Sequence, residues 1–364
     1  LVFDLRIPPV TGIVTLEPQT PLSHVNLLAK NRGTPNVSTA NISLIPNLNS
    51  LTGSLVKMIA GRNGTVTIQS ATLAEAEQFW AERTQSELEV PAISATSFQP
   101  AEFATVSDDE AALSKIGAKA SSYAAMQTLL GSDVIKPGFA LSFAHYQKIA
   151  RVPATQLRIQ DLLAQKGSLA PEEINDRLEA IRNSIRKETP EETLAESVSA
   201  VRSVISQLTD VPRIRLRSST NSEDLPTFNG AGLYESKGFN IEDSDKKLRK
   251  KLLKVMASLW LERAFWEREL FGIDHRQVGM AILINPAFSD EYGNGVVIGS
   301  QEDIGFRTWV NAQKGEASVT NPLDNEIPES FTFVGRSVDR PQVQSPSNLG
   351  IVFLDDVTCE VHPT

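Results

Sequence analysis

Arg213-Ile214-Arg215-Leu216-Arg217-Ser218-Ser219-Thr220-Asn221-Ser222-Glu223-Asp224-Leu225-Pro226-Thr227-Phe228-Asn229-Gly230-Ala231-Gly232-Leu233-Tyr234-Glu235-Ser236 decides how the chain is read. Arginines at alternate positions with Ile214 and Leu216 between them predict a half-buried strand. The strand delivers them to a polar loop rich in hydroxyls and glycine, and a second strand leaves it. Guanidinium forks, hydroxyls and exposed backbone N–H groups suit a polyphosphate. An ordinary hairpin beside a basic edge strand fits equally well, and chemistry alone leaves the two readings level.

Outward from this stretch the pattern alternates between helix and strand. Upstream, 157–208 is helical, with Pro171, Glu172 and Glu173 at a helix start and Ile174, Leu178, Ile181 and Ile185 at helical spacing. Residues 111–130 also read as a helix, opened by Lys115-Ile116-Gly117-Ala118-Lys119, and 134–141 as a turn into a strand. No Gly-x-x-x-x-Gly-Lys-Ser/Thr loop occurs. Downstream, 254–271 predicts one strong helix with Trp260 and Trp266 in its core face, and 278–284 an apolar strand leading to Asn285-Pro286-Ala287. Further strands fall at 295–299, 331–334 and 351–354, and Thr308-Trp309-Val310-Asn311-Ala312-Gln313-Lys314-Gly315-Glu316 runs between them.

With 364 residues the chain is long enough for two cores, and its charge of -9 argues against nucleic acid or anionic membranes as partners. No apolar run is long enough for a membrane span. The single cysteine, Cys359, makes no internal disulfide, which fits a cytoplasmic setting. The chain opens at Leu1 without a methionine, as a fragment of a longer protein would.

The N-terminal part reads differently. Short strands at 1–5, 12–16, 55–59 and 65–68 surround one helix, whose start is Thr20-Pro21-Leu22-Ser23-His24 and whose stop is Gly33 before Pro35. His24 stands in that helix's first turn, where a neutral imidazole and a nearby anion are both favoured. A capping-region histidine without chemistry has the same signature. After a short helix at 72–85, residues 88–105 are rich in Pro, Ser, Ala and Thr. They read either as a tether or as a strap packed on a domain surface.

Thr-Pro-Leu-Ser-His followed by Ala29-Lys30-Asn31-Arg32-Gly33 resembles the phosphohistidine domain of the phosphoenolpyruvate-utilising enzymes, and His24 falls on its carrier histidine. Arg217-Ser218-Ser219 followed by Glu223-Asp224-Leu225 resembles the ATP-binding domain of the pyruvate phosphate dikinase superfamily. The continuation Gly230-Ala231-Gly232-Leu233-Tyr234-Glu235-Ser236, with the histidine domain first in the chain, is most similar to the glucan, water dikinase branch. Where the family has Gly-Gly-Lys and Pro-Pro-Gly-Phe, this chain has Gly117-Ala118-Lys119 and Lys136-Pro137-Gly138-Phe139. Arg307 stands where an acidic residue is expected, and Lys314 interrupts the family's Asn-Ala-Gln-Gly-Glu run.

The resemblance implies a mixed α/β chain. A small swivelling phosphohistidine domain (1–70) would be followed by a helix and linker (71–107), an ATP-grasp nucleotide-binding domain (108–340) and a C-terminal segment (341–364). It implies ATP bound through Lys119, Arg217, Ser218, Arg263 and Asn285, and Mg²⁺ near Gln313 and Glu316. His24 would be phosphorylated and pass the group to an acceptor, releasing AMP and phosphate. The acceptor would be a glucan or other hydroxyl compound, with pyruvate and a further barrel domain as one alternative and a catalytically silent ATP-binding module as another. His145, His275 and His362 lack comparable context and are expected to be structural.

Overall fold

In the computed structural model, the structure describes residues 11–16, 24–39, 41, 48–61, 65–82, 88–94, 97–102, 110–208, 211–223, 225, 228, 230, 232–288, 291–302, 305–315, 319, 326–335, 342–345, 352–354 and 361–363. The expected strand at 1–5 lies outside them. The chain forms two compact units, one of 1–84 with 289–364 and the other of 85–288.

In the first unit, strand β1 (Ile13–Thr15) precedes helix α1 (His24–Asn31) and pairs parallel with β2 (Asn36–Ser38). Val25 and Ala29, four apart, are buried, as an amphipathic helix requires. The helix stops where the sequence predicts. Gly33, at φ 59, donates to the Lys30 carbonyl (3.1 Å), and Thr34 donates to that of Ala29 (2.7 Å), a Schellman ending. An antiparallel pair, β3 (Val56–Ala60) and β4 (Val66–Ser70), follows, then α2 (Leu73–Glu82).

The second unit is built on a five-stranded antiparallel sheet in the order β5-β6-β9-β7-β8. Along the chain come β5 (Ala101–Glu102), α3 (Glu110–Leu130), β6 (Phe139–Leu141) and α4 (Phe143–Ala150). Next are α5 (Pro153–Gln165), α6 (Pro171–Lys187), α7 (Ala195–Ile205), β7 (Arg213–Thr220) and β8 (Ser236–Asn240). The last are α8 (Asp245–Ala257), α9 (Glu262–Leu270) and β9 (Met280–Pro286). Strand β9 lies at the centre with all seven residues buried. Ile116, Ala120 and Ala124 of α3 pack on Ala140 and Leu283, while Ile214 and Leu216 alternate with the arginines and are buried, as is Phe239 of β8, the register partner of Ile214.

Two expected helices are broken, each for a tertiary reason. Gly117 interrupts α3 at φ 79, ψ 170, because Ser219 of β7 presses into that point; a Cβ there would lie 2.7 Å from the Ser219 hydroxyl. The helix expected over 254–271 is two helices, α8 and α9, separated by a turn at Ser258–Trp260 and an extended Leu261. The Trp260 indole donates to the buried Tyr146 hydroxyl (2.8 Å) and its carbonyl accepts from Arg182 (2.8 Å), contacts a straight helix would lose.

The segment around residue 90 is fastened to the second unit. Val90 is buried, Ile93 packs on Phe143 and Ala281, and Ser94 donates to the Ser114 carbonyl (3.0 Å). Asn221 donates to the Pro91 carbonyl (2.8 Å), Ser142 donates to that of Ser97 (2.5 Å), and β5 pairs with β6. For these residues the structure takes the strap reading.

The chain then rejoins the first unit in a four-stranded antiparallel sheet, β10 (Gly293–Glu302), β11 (Gly305–Lys314), β12 (Glu329–Val334) and β13 (Gln342–Ser345). A last pair, β14 (Val352–Leu354) and β15 (Val361–Pro363), ends it.

Candidate functional site

The break in α3 and the end of β7 form one device. Ser219 donates its hydroxyl to the Ile116 carbonyl (2.7 Å) and accepts from the Ala120 backbone N–H (3.0 Å), so it bridges both sides of the break. Lys119, one residue into the second half of the helix, donates its Nζ to the Ser218 carbonyl (3.0 Å) and to Glu223 Oε1 (2.9 Å). Glu223 is only 4% exposed, and its other oxygen accepts from the Thr220 backbone N–H (2.9 Å) while its own N–H donates to Thr220 Oγ1 (3.1 Å). This is the reciprocal bonding of a capping box, used here to close a turn.

The turn is fixed from the other side by Asn221. Its amide donates to the Pro91 and Gln277 carbonyls (2.8 Å each) and accepts from the Gly279 N–H (3.0 Å), so all these polar groups are satisfied without water. Gly230 comes so near that a Cβ would stand 2.7 Å from Glu223 Cγ. Glycine is required there by the close approach.

Arg217 projects from the face of β7 that also carries Ser219. Its Nε donates to Asn285 Oδ1 (3.2 Å), and the Asn285 amide donates to the Pro286 carbonyl (2.9 Å). Tyr123 of α3 stands close enough for the Arg217 charge to act on it. Burial pushes its phenol up, and it donates as a neutral group to the Lys136 carbonyl (2.8 Å). Arg263 of α9 donates its Nε to the Leu233 carbonyl (2.9 Å), bracing the glycine loop.

Of the expected site residues, the second unit thus gathers Lys119, Arg217, Ser218 and Asn285 around the end of β7, with Arg263 behind the glycine loop. Ser218 takes part through its carbonyl, since its side chain is on the buried face with Leu216. His24 is the first residue of α1, and Gln313 is buried in β11, both in the other unit; Glu316 lies outside the described residues. Arg307 stands over the Trp309 ring (5.8 Å) on β11.

Glu223 was not among the residues expected from sequence. An acid between Ser222 and Asp224 looks like any turn residue, and the available signal was the Thr220-x-x-Glu223 spacing.

Among the described residues no three carboxylate, imidazole or thiol groups stand together as a metal site. The one described donor among the expected ligands is the neutral amide of Gln313. That set does not by itself make a magnesium centre. His145 and His275 are buried in the second unit. His145 shares a hydrogen with Ser197 (2.8 Å), and His275 stacks on Phe265 between Arg268 (2.9 Å) and Glu269 (2.5 Å). Burial holds each at about 4.

A cavity of about 580 Å³ opens elsewhere in the second unit, lined by Leu163, Lys166, Arg268, Glu269 and His275 among others. Lys166 is spent on Glu269, and none of the expected site residues reaches it. No helix among the described residues is long and apolar enough to cross a membrane.

Residues 113–323 match the family described as pyruvate phosphate dikinase, AMP/ATP-binding domain. The chain is similar to phosphoenolpyruvate synthase of Aeropyrum pernix, 28% identical over 158 residues, covering 43% of this chain and 19% of that protein. It is similar to rifampicin phosphotransferase of Bacillus subtilis, 31% identical over 173 residues, with 47% and 19% covered. Rifampicin phosphotransferase of Streptomyces sviceus is 23% identical over 225 residues, with 60% and 25% covered. The chain therefore spans between 19% and 25% of the length of these relatives.

Proposed function

Since the chain belongs to the pyruvate phosphate dikinase AMP/ATP-binding domain family, we propose that it is an ATP-dependent phosphotransferase of the dikinase type working through phospho-His24. The β-phosphoryl group of ATP goes to the neutral imidazole of His24, the γ-phosphoryl goes to water, and AMP and phosphate leave. Phospho-His24 then gives its group to an acceptor oxygen. One ATP, one water and one acceptor give AMP, phosphate and phosphorylated acceptor.

The observation that carries this reading is Lys119 in the break of α3, held by Glu223 and by the carbonyl of Ser218, the residue that follows Arg217 with its Asn285 partner. Two cations held in place suit a polyphosphate, whose transfer depends mainly on positioning and charge neutralisation. Gly117 alone takes the left-handed backbone at this point, so Ala118 does not remove the feature a second glycine would supply. Magnesium would arrive with the nucleotide, coordinated largely by phosphates and water.

For the acceptor we favour a hydroxyl compound, of the glucan, water dikinase kind. The histidine-first order and the Gly230 to Ser236 run support it, and rifampicin phosphotransferases among the relatives are consistent with an organic acceptor. Phosphoenolpyruvate synthase among the relatives keeps pyruvate as the second candidate. Incubation with [β-³²P]ATP followed by single-turnover chase with amylopectin or pyruvate separates them: label should leave the protein for one acceptor only. Label that stays on the protein with both refutes both acceptors.

A further inference from the structure

We propose that helix α8 carries a docking surface for an acidic segment of a partner protein, recognised by charge alone. Lys246, Lys250 and Lys254 follow one another at four-residue intervals and so form one line along the helix, with Lys247 and Lys251 on the line beside it. Lys246, Lys247 and Lys250 are exposed, and Lys251 and Lys254 are half-buried. The opposite face, with Leu248, Leu252 and Val255, is fully buried. Lys247 pairs with Asp243 (2.6 Å). Lys246, Lys250, Lys251 and Lys254 make no hydrogen bond or ion pair with any described residue. Acids close by are spent on other cations: Asp245, at the head of the helix, is held by Arg202 (2.8 Å), and Glu196 of α7 by Lys148 (2.9 Å). Like charges four apart weaken a helix, and here they persist in a chain whose acids outnumber its bases by 44 to 35. Carboxylates supplied from outside would relieve that repulsion.

Two observations choose this occupant. A basic helix that lies on a lipid surface, or in a partner's apolar groove, must present its apolar side there. The apolar side of α8 is committed to the core, so its charges are what it has to offer. The stripe from Lys246 to Lys254 is also short, about 12 Å at the rise of an α-helix. A nucleic acid or a bilayer extends far past it, and beyond a Debye length of about 8 Å it meets a chain of net charge -9. A run of a few carboxylates stays within the positive field and meets the lysines in register.

Fluorescence anisotropy of a fluorescein-labelled octaglutamate peptide, titrated with the full chain at low and at high salt, tests this. The wild-type chain should bind the peptide at low salt and release it as salt rises. The triple variant Lys246→Gln, Lys250→Gln, Lys254→Gln should bind about tenfold or more weakly, and the same three positions changed to Arg should keep the affinity. A second triple variant, Lys136→Gln, Arg151→Gln, Arg276→Gln, removes as many exposed cations elsewhere in the second unit and should bind within about twofold of wild type. The urea midpoint of the α8 glutamine variant should equal or exceed that of wild type, because repulsion along the helix is relieved. A wild-type chain that ignores the peptide, or equal losses in the two glutamine variants, overturns the proposal, and so does a lowered midpoint, which would make the lysines part of the fold. Vesicles containing phosphatidylserine, duplex DNA and self-association measured by sedimentation are the competing occupants. Tighter binding of either polyanion than of the peptide, or a dimer that the α8 glutamine variant loses, would give the face to that occupant and also overturn it.

Discussion

Lys119 and Glu223 depend on each other, since the carboxylate is 4% exposed and the lysine is its cation. Lys119→Met strands a buried charge and should cost about 2 kcal/mol in urea denaturation. Adding Glu223→Gln removes the stranded charge, so the double variant should recover at least half of that loss while remaining defective in ATP binding. A double variant less stable than either single one contradicts the pairing. Lys119 and Arg217 were legible in sequence because short motifs surround them. Glu223 was not, because its role depends on a lysine a hundred residues away in the chain. Ser218 was legible as a position, but its contribution through the carbonyl depends on which face of β7 the side chain takes, and only the register with β9 decides that.

The elements were legible where periodicity is local and illegible where a neighbour intervenes. Helix α1 ends at Gly33 as its sequence requires, and β7 and β9 follow their alternation and apolar run. The breaks at Gly117 and at Ser258–Trp260 come from Ser219 and Tyr146, which no window around either break contains. Two glycines with the same φ test this. Gly117→Ala forces a Cβ into Ser219 and should cost more than about 3 kcal/mol, with loss of ATP binding. Gly131→Ala, also at φ 79 but facing open space, should cost only about 1 kcal/mol and spare binding. Equal losses would show that backbone strain, rather than the approach of β7, sets the requirement. The strap gives a second test. Asn221→Ala leaves the Pro91 and Gln277 carbonyls and the Gly279 N–H without their partner, at about 2 to 4 kcal/mol. Limited proteolysis should then cut near residue 91 well before wild type is cut, and an unchanged cleavage pattern contradicts the anchoring.

At the scale of the molecule, two buried histidines tie stability to pH. His145 and His275 sit at about 4 when folded against an ordinary 6.5, because burial disfavours their charged forms. The unfolded chain binds more protons between those values, so stability is full above about 6.5 and lost as pH falls towards 4. The slope for two histidines approaches about 2.7 kcal/mol per pH unit. Urea midpoints measured at pH 7, 6 and 5 should fall in that order, and a rising midpoint contradicts it. On the proposed function, ATP bound by Lys119 and Arg217 supplies the phosphoryl group that His24 carries. Incubation with [β-³²P]ATP and Mg²⁺ measures that directly. Acid-labile label should appear on the wild-type chain, be absent from His24→Ala, and fall sharply in Arg217→Ala. A wild-type chain that binds ATP yet takes no label, or a His24→Ala chain labelled as fully as wild type, would contradict it.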